Sequence, residues 1–200
     1  MARRNRTAED DERSYIWGNT GLMVLPERRT VYINDAITRE MSAVFNLALL
    51  DMEAEAPDRD ITVYINSPGG EVTAGLSMVD TMMTVSPDVR TVCVGDASSM
   101  AAVILMCGTK GKRQILPHST VLIHQPIGGT GMMQAADILI YADTLSKRKN
   151  ELFCLMAEMT GQSVEKITSD CDRNYTLSAF EALEYGIVDS IVQNHRGKTK

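Results

Sequence analysis

A serine at position 99 stands between a β-branched run, VRTVCVGD, and an apolar run, MAAVILMCG. The first pattern predicts a strand, residues 97 to 99 a turn, and the second run a buried helix. Ser99 then lies beside the orphan N–H groups and positive end of a helix, donors able to hold an oxyanion. The same position also suits a serine, Ser98 or Ser99, that merely caps the helix. His124 closes the strand-like TVLIH and precedes Gln125-Pro126, with Leu122 on the same face by strand alternation. An imidazole there is either a structural hydrogen-bonding group or a general base. His118 lies in a proline turn and His195 in a polar tail, which leaves His124 as the histidine suited to a buried base. Ser67-Pro68-Gly69-Gly70 follows the strand-like ITVYINS and opens a helix. Its glycines permit unusual dihedrals and close approach of a peptide backbone, and it also reads as an ordinary tight turn.

Other chemistries fit less well. Neither GGTG nor GTKGKR, residues 108 to 113, has the spacing and closing hydroxyl of a phosphate loop. Residues 95 to 99 read GDASS, not the G-x-S-x-G elbow of α/β-hydrolases. Cys93, Cys107, Cys154 and Cys171 show no C-x-x-C spacing, which predicts buried free thiols and no metal site. No cofactor is expected.

The elements that must position these residues alternate. LMVL and TVYI, flanking a charged PERR turn, predict a hairpin or two short strands. From Thr38 to Ala56, Met41, Val44, Phe45, Ala48, Leu49 and Met52 recur at helical spacing, and Pro57 ends the run. After ITVYINS comes a helix with Val72, Leu76, Val79 and Met83 expected on its apolar face. Short strands at RQILP and TVLIHQ follow, then a helix from about Met132 to Thr160, stopped by Gly161. Ile138, Tyr141, Leu145, Leu152, Leu155 and Met159 form its apolar stripe, and its length allows it to pack against another subunit. A helix from about Ser178 to Tyr185 and a strand at IVDSIV close an α/β fold.

With 200 residues, 44% hydrophobic and 23% charged, the chain can bury one core. The net charge of −6 argues against nucleic acid as a partner. Apolar stretches too short to span a bilayer argue against a membrane, and a cytoplasmic protein is expected. Residues 1 to 14 predict a mobile charged arm, 15 to 194 one domain, and 195 to 200 a polar tail.

Taken together, YINSPGG with VTAG, GDASSM, GTKGKRQILPHS, IHQPIGG and ALEYGIVD resemble the Clp protease proteolytic subunit family, in order and spacing, from about residue 58 to 192. The resemblance implies a crotonase-like fold of stacked ββα units with a long protruding handle helix, here about 132 to 160. It implies two stacked heptameric rings around a closed chamber, fed with unfolded polypeptide by an AAA+ ATPase partner. Ser99 is implied as nucleophile, His124 as base, and the N–H groups of Gly70 and Met100 as oxyanion hole. Substrate is expected as an added β-strand along the segment after Gly70. Asp172 and Arg173 match the pair that joins the rings.

The sequence departs from the family at the third triad position, where Asp172-Arg173-Asn174 carries an amide in place of the usual carboxylate. In a Ser-His-Asp site that exchange can cost roughly 10⁴ in turnover, although Asn orients the histidine in papain-like sites. Glu71 and Ala101 also differ from the usual residues, and upstream of Pro57 the pattern around the ATPase pockets is not followed. A divergent subunit is therefore expected, homomeric or paired with a paralogue. It is either an acyl-enzyme peptidase with Asn174 orienting His124 or a structural, catalytically impaired ring member. A crotonase-type acyl-CoA enzyme is disfavoured by the Ser–His placement.

Overall fold

The computed structural model describes residues 15–16, 20–129, 131–132 and 134–193. The expected arm at 1–14 and tail at 195–200, His195 included, lie outside the described residues. The hairpin at the start is as the pattern predicts: β2 (Leu22–Leu25) pairs antiparallel with β3 (Thr30–Ile33), and β1 (Tyr15–Ile16) adds to its edge. Helix α1 (Arg39–Glu55) opens at Thr38, whose hydroxyl accepts from Met41 N–H. It buries Met41, Phe45, Leu49 and Met52 at the three- and four-residue spacing of one helical face. Strand β4 (Ile61–Ser67) runs parallel to β3, α2 (Val72–Thr84) follows, and β5 (Val89–Ser98) runs parallel to β4. The core is continuous from the sheet through both helices into α3 (Met100–Met106), every residue of which is buried.

Beyond α3 the sheet divides. Strand β6 (Arg113–Ile115) pairs with the first half of β5, and β7 (Thr120–Ile123) with its last residues. After α4 (Ala135–Thr160) and α5 (Val164–Asp170), β8 (Tyr175–Ser178) returns antiparallel to β7. Helix α6 (Ala179–Tyr185) starts on a capping box of Ser178 and Glu181, and β9 (Ser190–Ile191) pairs with β6. Buried Arg113 locks this end, donating twice to Asp189 Oδ2 and Oδ1 at 3.0 and 2.6 Å and to the carbonyls of Met106 and Met159. Burial alone raises the Asp189 pKa, but the Arg113 hydrogen bonds and charge outweigh it and hold the carboxyl below its ordinary range.

The architecture is mixed α/β, as the alternating patterns predict. Several local expectations are corrected. Residues 97 and 98 are not a turn, because pairing with β7 extends β5 through Ser98. The buried face of α2 is Ala74, Gly75, Met78, Val79 and Met82, whereas Met83 is 54% exposed: α3 packs on the small residues, and Met100 lies against Gly75. Helix α4 begins at Ala135, three positions after the expected Met132, and α5 was not foreseen. The last strand is only Ser190–Ile191. Cys93, Cys107 and Cys171 are buried, their thiols pushed up to about 12 chiefly by desolvation, but Cys154 is exposed on α4. Along α4, Phe153, Met156 and Ala157 join Leu152 in the core, while Ile138, Leu139 and Ile140 face solvent. At 26 residues the helix spans about 39 Å, and its first half is mostly exposed, with Tyr141 and Leu145 only partly covered.

Candidate active site

Ser99 owes its place to the register of β5 and β7. Ala97 pairs with Val121 and Ser98 with Leu122, and Ser99 N–H still donates to Leu122 O at 2.8 Å. The chain then turns sharply, with Ser99 at φ 57° and ψ −122°, outside the regions an L-residue prefers, and α3 starts at the next residue. Such a conformation costs on the order of 1–3 kcal/mol and persists only where its surroundings enforce it. Neither serine caps the helix: the Ser99 hydroxyl accepts no cap bond, and the Ser98 hydroxyl donates to Asp96 Oδ1 at 2.9 Å. Met100 N–H heads α3, where no intrahelical acceptor exists.

The glycine turn closes against this corner. Gly69, at φ 88°, leaves no room for a side chain: a Cβ would lie 2.6 Å from Ser98 O, 2.8 Å from Ser99 Cβ and 2.9 Å from Met100 N. The following residues form a parallel bridge between Gly70 and Ile37, in which Ile37 N–H donates to Gly69 O and Glu71 N–H to Ile37 O. That pattern turns the N–H and C=O of Gly70 to the opposite edge. A Cβ on Gly70 would strike Ile37 O, so the approach of these backbones requires glycine. At the rim, Glu71 Oε2 accepts from Arg39 Nε at 3.0 Å, with both side chains largely in water.

His124 follows the last residue of β7. Strand β8 pairs Leu122 with Thr176 and Ile123 with Tyr175, so one further step of the register sets Asn174 opposite His124. Ser99, Met100 and half-buried His124 line a single cleft. Asn174 is exposed, one residue before β8. Among the described residues no hydrogen bond joins His124 to Ser99 or to Asn174; catalytic hydrogen bonds are often long until substrate is bound. Asp172 and Arg173 project outward, 3.7 Å apart and with side chains 69% and 92% exposed. His118 is exposed as expected.

The remaining walls of the cleft were not foreseen. Val72, Val103, Ile123, Pro126, Leu152, Phe153 and Met156 come from α2, α3, β7, the loop after it and α4. In the sequence each is simply an apolar residue of its own element, and nothing local marks the five segments as neighbours. The result is an apolar recess directly beside the Ser99 hydroxyl and the helix terminus. Two more apolar grooves flank the β2–β3 hairpin, one lined by Met23, Leu25, Tyr32, Tyr64, Val94 and Leu116, the other by Val24, Val44, Leu47, Ala48 and Met52.

A family profile described as Clp protease matches residues 17–195. The chain is 46% identical over 164 residues to the "ATP-dependent Clp protease proteolytic subunit 1" of Shouchella clausii, covering 82% of this chain and 84% of that protein.

Proposed function

This chain belongs to the Clp protease family and is a serine-type peptidase; from that premise we propose that Ser99 is its nucleophile and His124 its general base. The observation that carries this reading is a strained serine at a helix N-terminus sharing one cleft with a strand-end imidazole. Ser99 Oγ attacks the scissile carbonyl carbon while His124 takes the hydroxyl proton. The N–H groups of Gly70 and Met100 hold the resulting oxyanion, a contribution for which loss of one donor typically costs about 10²–10³ in turnover. As the C–N bond breaks, His124 passes its proton to the leaving amine, and water then hydrolyses the acyl ester by the reverse sequence. Substrate adds as a strand along the free edge at Gly70, bound through main-chain hydrogen bonds and so with little demand on sequence. The apolar recess takes a hydrophobic side chain next to the scissile bond. Asn174 accepts from the imidazole and orients it.

The working particle is two stacked heptameric rings, of this chain alone or with a paralogue, with the projecting half of α4 and the Asp172–Arg173 pair at the ring junction. A partner ATPase delivers unfolded polypeptide, and the apolar grooves beside the hairpin are its docking sites. A fluorophosphonate probe on the assembled protein, followed by peptide mapping, tests the chemistry: Ser99 is the residue expected to be labelled, and labelling elsewhere or not at all refutes it. Native mass of the chain expressed alone tests the assembly, with a value near fourteen subunits expected and a monomer refuting it.

A second reading, a structural ring member with impaired chemistry, is favoured by the amide at position 174 and its lack of a hydrogen bond to His124. An Asn174→Asp exchange separates the two.

A further inference from the structure

We propose that Gln125 is a positioning residue for this reaction, closing the base of a bulge that sets Asn174 against His124; this rests on the assignment of Ser99 and His124 above. The register of β7 and β8 runs unbroken from Thr120–Ser178 to Ile123–Tyr175, and its next step pairs His124 with Asn174. One step more would set Gln125 against Arg173. Instead, Gln125 N–H donates to Cys171 O at 2.8 Å, skipping Asp172 and Arg173, which are pushed out of the ladder into solvent. Cys171 is the C-cap of α5, so this bond fastens the end of that helix to the strand carrying His124 and leaves Asp172 and Arg173 bulging between α5 and β8.

Both donors of Gln125 hold the neck of this bulge. Its backbone N–H takes the Cys171 carbonyl, and its side-chain Nε2 donates to the next carbonyl, Asp172 O, at 3.1 Å. The far side of the neck is fixed independently. Cys171 is fully buried, and Asp170 accepts from Tyr185 Oη and Lys166 Nζ, each at 2.7 Å. Asn174 emerges from the bulge directly before β8. Gln125 therefore ties the segment carrying Asn174 to the strand carrying His124 from the side the β7–β8 ladder does not reach.

This tie matters because position 174 is an amide. A carboxylate draws an imidazole N–H by charge over a range of angles, whereas a neutral carbonyl oxygen depends on distance and alignment. A small slip of the bulge would keep the Asn174 oxygen from reaching the ring when substrate tightens the site, and His124 would lack its orienter while the rest of the cleft stayed intact. The effect belongs in turnover, not in substrate affinity.

The test is steady-state cleavage of a fluorogenic peptide by the full-length assembled protein, comparing wild type, Gln125→Ala, Gln125→Glu, Asn174→Ala and the Gln125→Ala/Asn174→Ala double variant. Native mass and fluorophosphonate labelling are measured for each. Gln125→Ala is expected to lower kcat roughly 3- to 10-fold, the scale of one neutral hydrogen bond, with KM nearly unchanged and mass unaltered. Gln125→Glu keeps the size but lacks the donor, so it should behave alike and serves if the alanine variant fails to assemble. In the Asn174→Ala background the Gln125→Ala exchange should have no further effect. Wild-type kcat in both Gln125 variants, an unchanged kcat in Asn174→Ala, or an undiminished Gln125 effect in the double variant overturns the proposal. Absence of Ser99 labelling in the wild type would instead remove the underlying catalytic reading.

Discussion

Replacing Gly69 by alanine should leave a folded protein that has lost most of its activity. The added Cβ would stand 2.8 Å from Ser99 Cβ and 2.9 Å from Met100 N, both in the corner that carries the nucleophile and its helix N–H. Carbon atoms normally settle about 3.5–4.0 Å apart, so the corner must retreat by roughly 0.7–1.2 Å at Ser99. The struck atoms include backbone, Ser98 O at 2.6 Å among them, so no flexible side-chain end can absorb the contact. The positive φ of Gly69 adds about 1–2 kcal/mol of backbone strain once a Cβ is present. For a chain of this size that strain lowers Tm by roughly 2–8 °C. Displacing a reacting atom by about 1 Å costs about 10²-fold in rate, equivalent to about 2.7 kcal/mol of barrier. The assay pairs kcat/KM for a fluorogenic peptide bearing an apolar residue before the scissile bond with the rate of Ser99 labelling and a thermal melt. A modest loss of Tm with a loss of about two orders in both activity and labelling is expected. A variant that melts in that range yet cleaves within about threefold of wild type would refute the argument that this contact sets the Ser99 position.

Exchanging Asn174→Asp should leave kcat within about tenfold of wild type, because the amide already orients His124; a gain toward the roughly 10⁴ that separates the two residues in a Ser-His-Asp site would favour the impaired ring member instead. Arg113→Met should destabilise the chain by about 2–3 kcal/mol in urea unfolding, because it leaves the Asp189 carboxylate without its cation, held only by two backbone N–H groups, and deprives two carbonyls of their donor. The same pair gives an acid signature. With the Asp189 pKa depressed in the folded state, its contribution is present above the ordinary aspartate value of about 3.9 and is lost as pH falls through the lower folded value, so wild type should lose more stability below about pH 4 than Arg113→Met does. Met156→Ala should enlarge the recess beside Ser99 and shift peptide-library cleavage toward larger apolar side chains, with an unchanged profile arguing against the recess as the specificity pocket.

Much of the scaffold was legible because it is written in local periodicity. LMVL, TVYI and ITVYINS are strands with the bounds that β-branching and flanking turn residues indicate, and Thr38 and Gly161 bound their helices by capping chemistry. Where the reading failed, a distant segment intervened. Strand β5 outlasts its own sequence signal because β7 pairs with Ala97 and Ser98, and α2 turns its small residues inward because α3 needs close approach there. The first half of α4 is largely exposed, Ile138, Leu139 and Ile140 included, in keeping with the expectation of a stripe free to pack against another subunit.

The same division holds at the site. The order of residues alone determined that a serine stands where a strand gives way to a helix, that a histidine closes another strand, and that the run Asp172-Arg173 ends on the amide Asn174. Only the tertiary structure decided that the serine and the histidine line one cleft. The parallel pairing of β5 with β7 brings Ser99 beside His124, the antiparallel return of β8 places Asn174 opposite, and α2, α3 and α4 converge as apolar walls. Strand pairing joins residues far apart along the chain, through backbone groups that every sequence shares. Propensity and spacing specify each strand well, but the choice of its neighbour and register is made by the packing of the whole core.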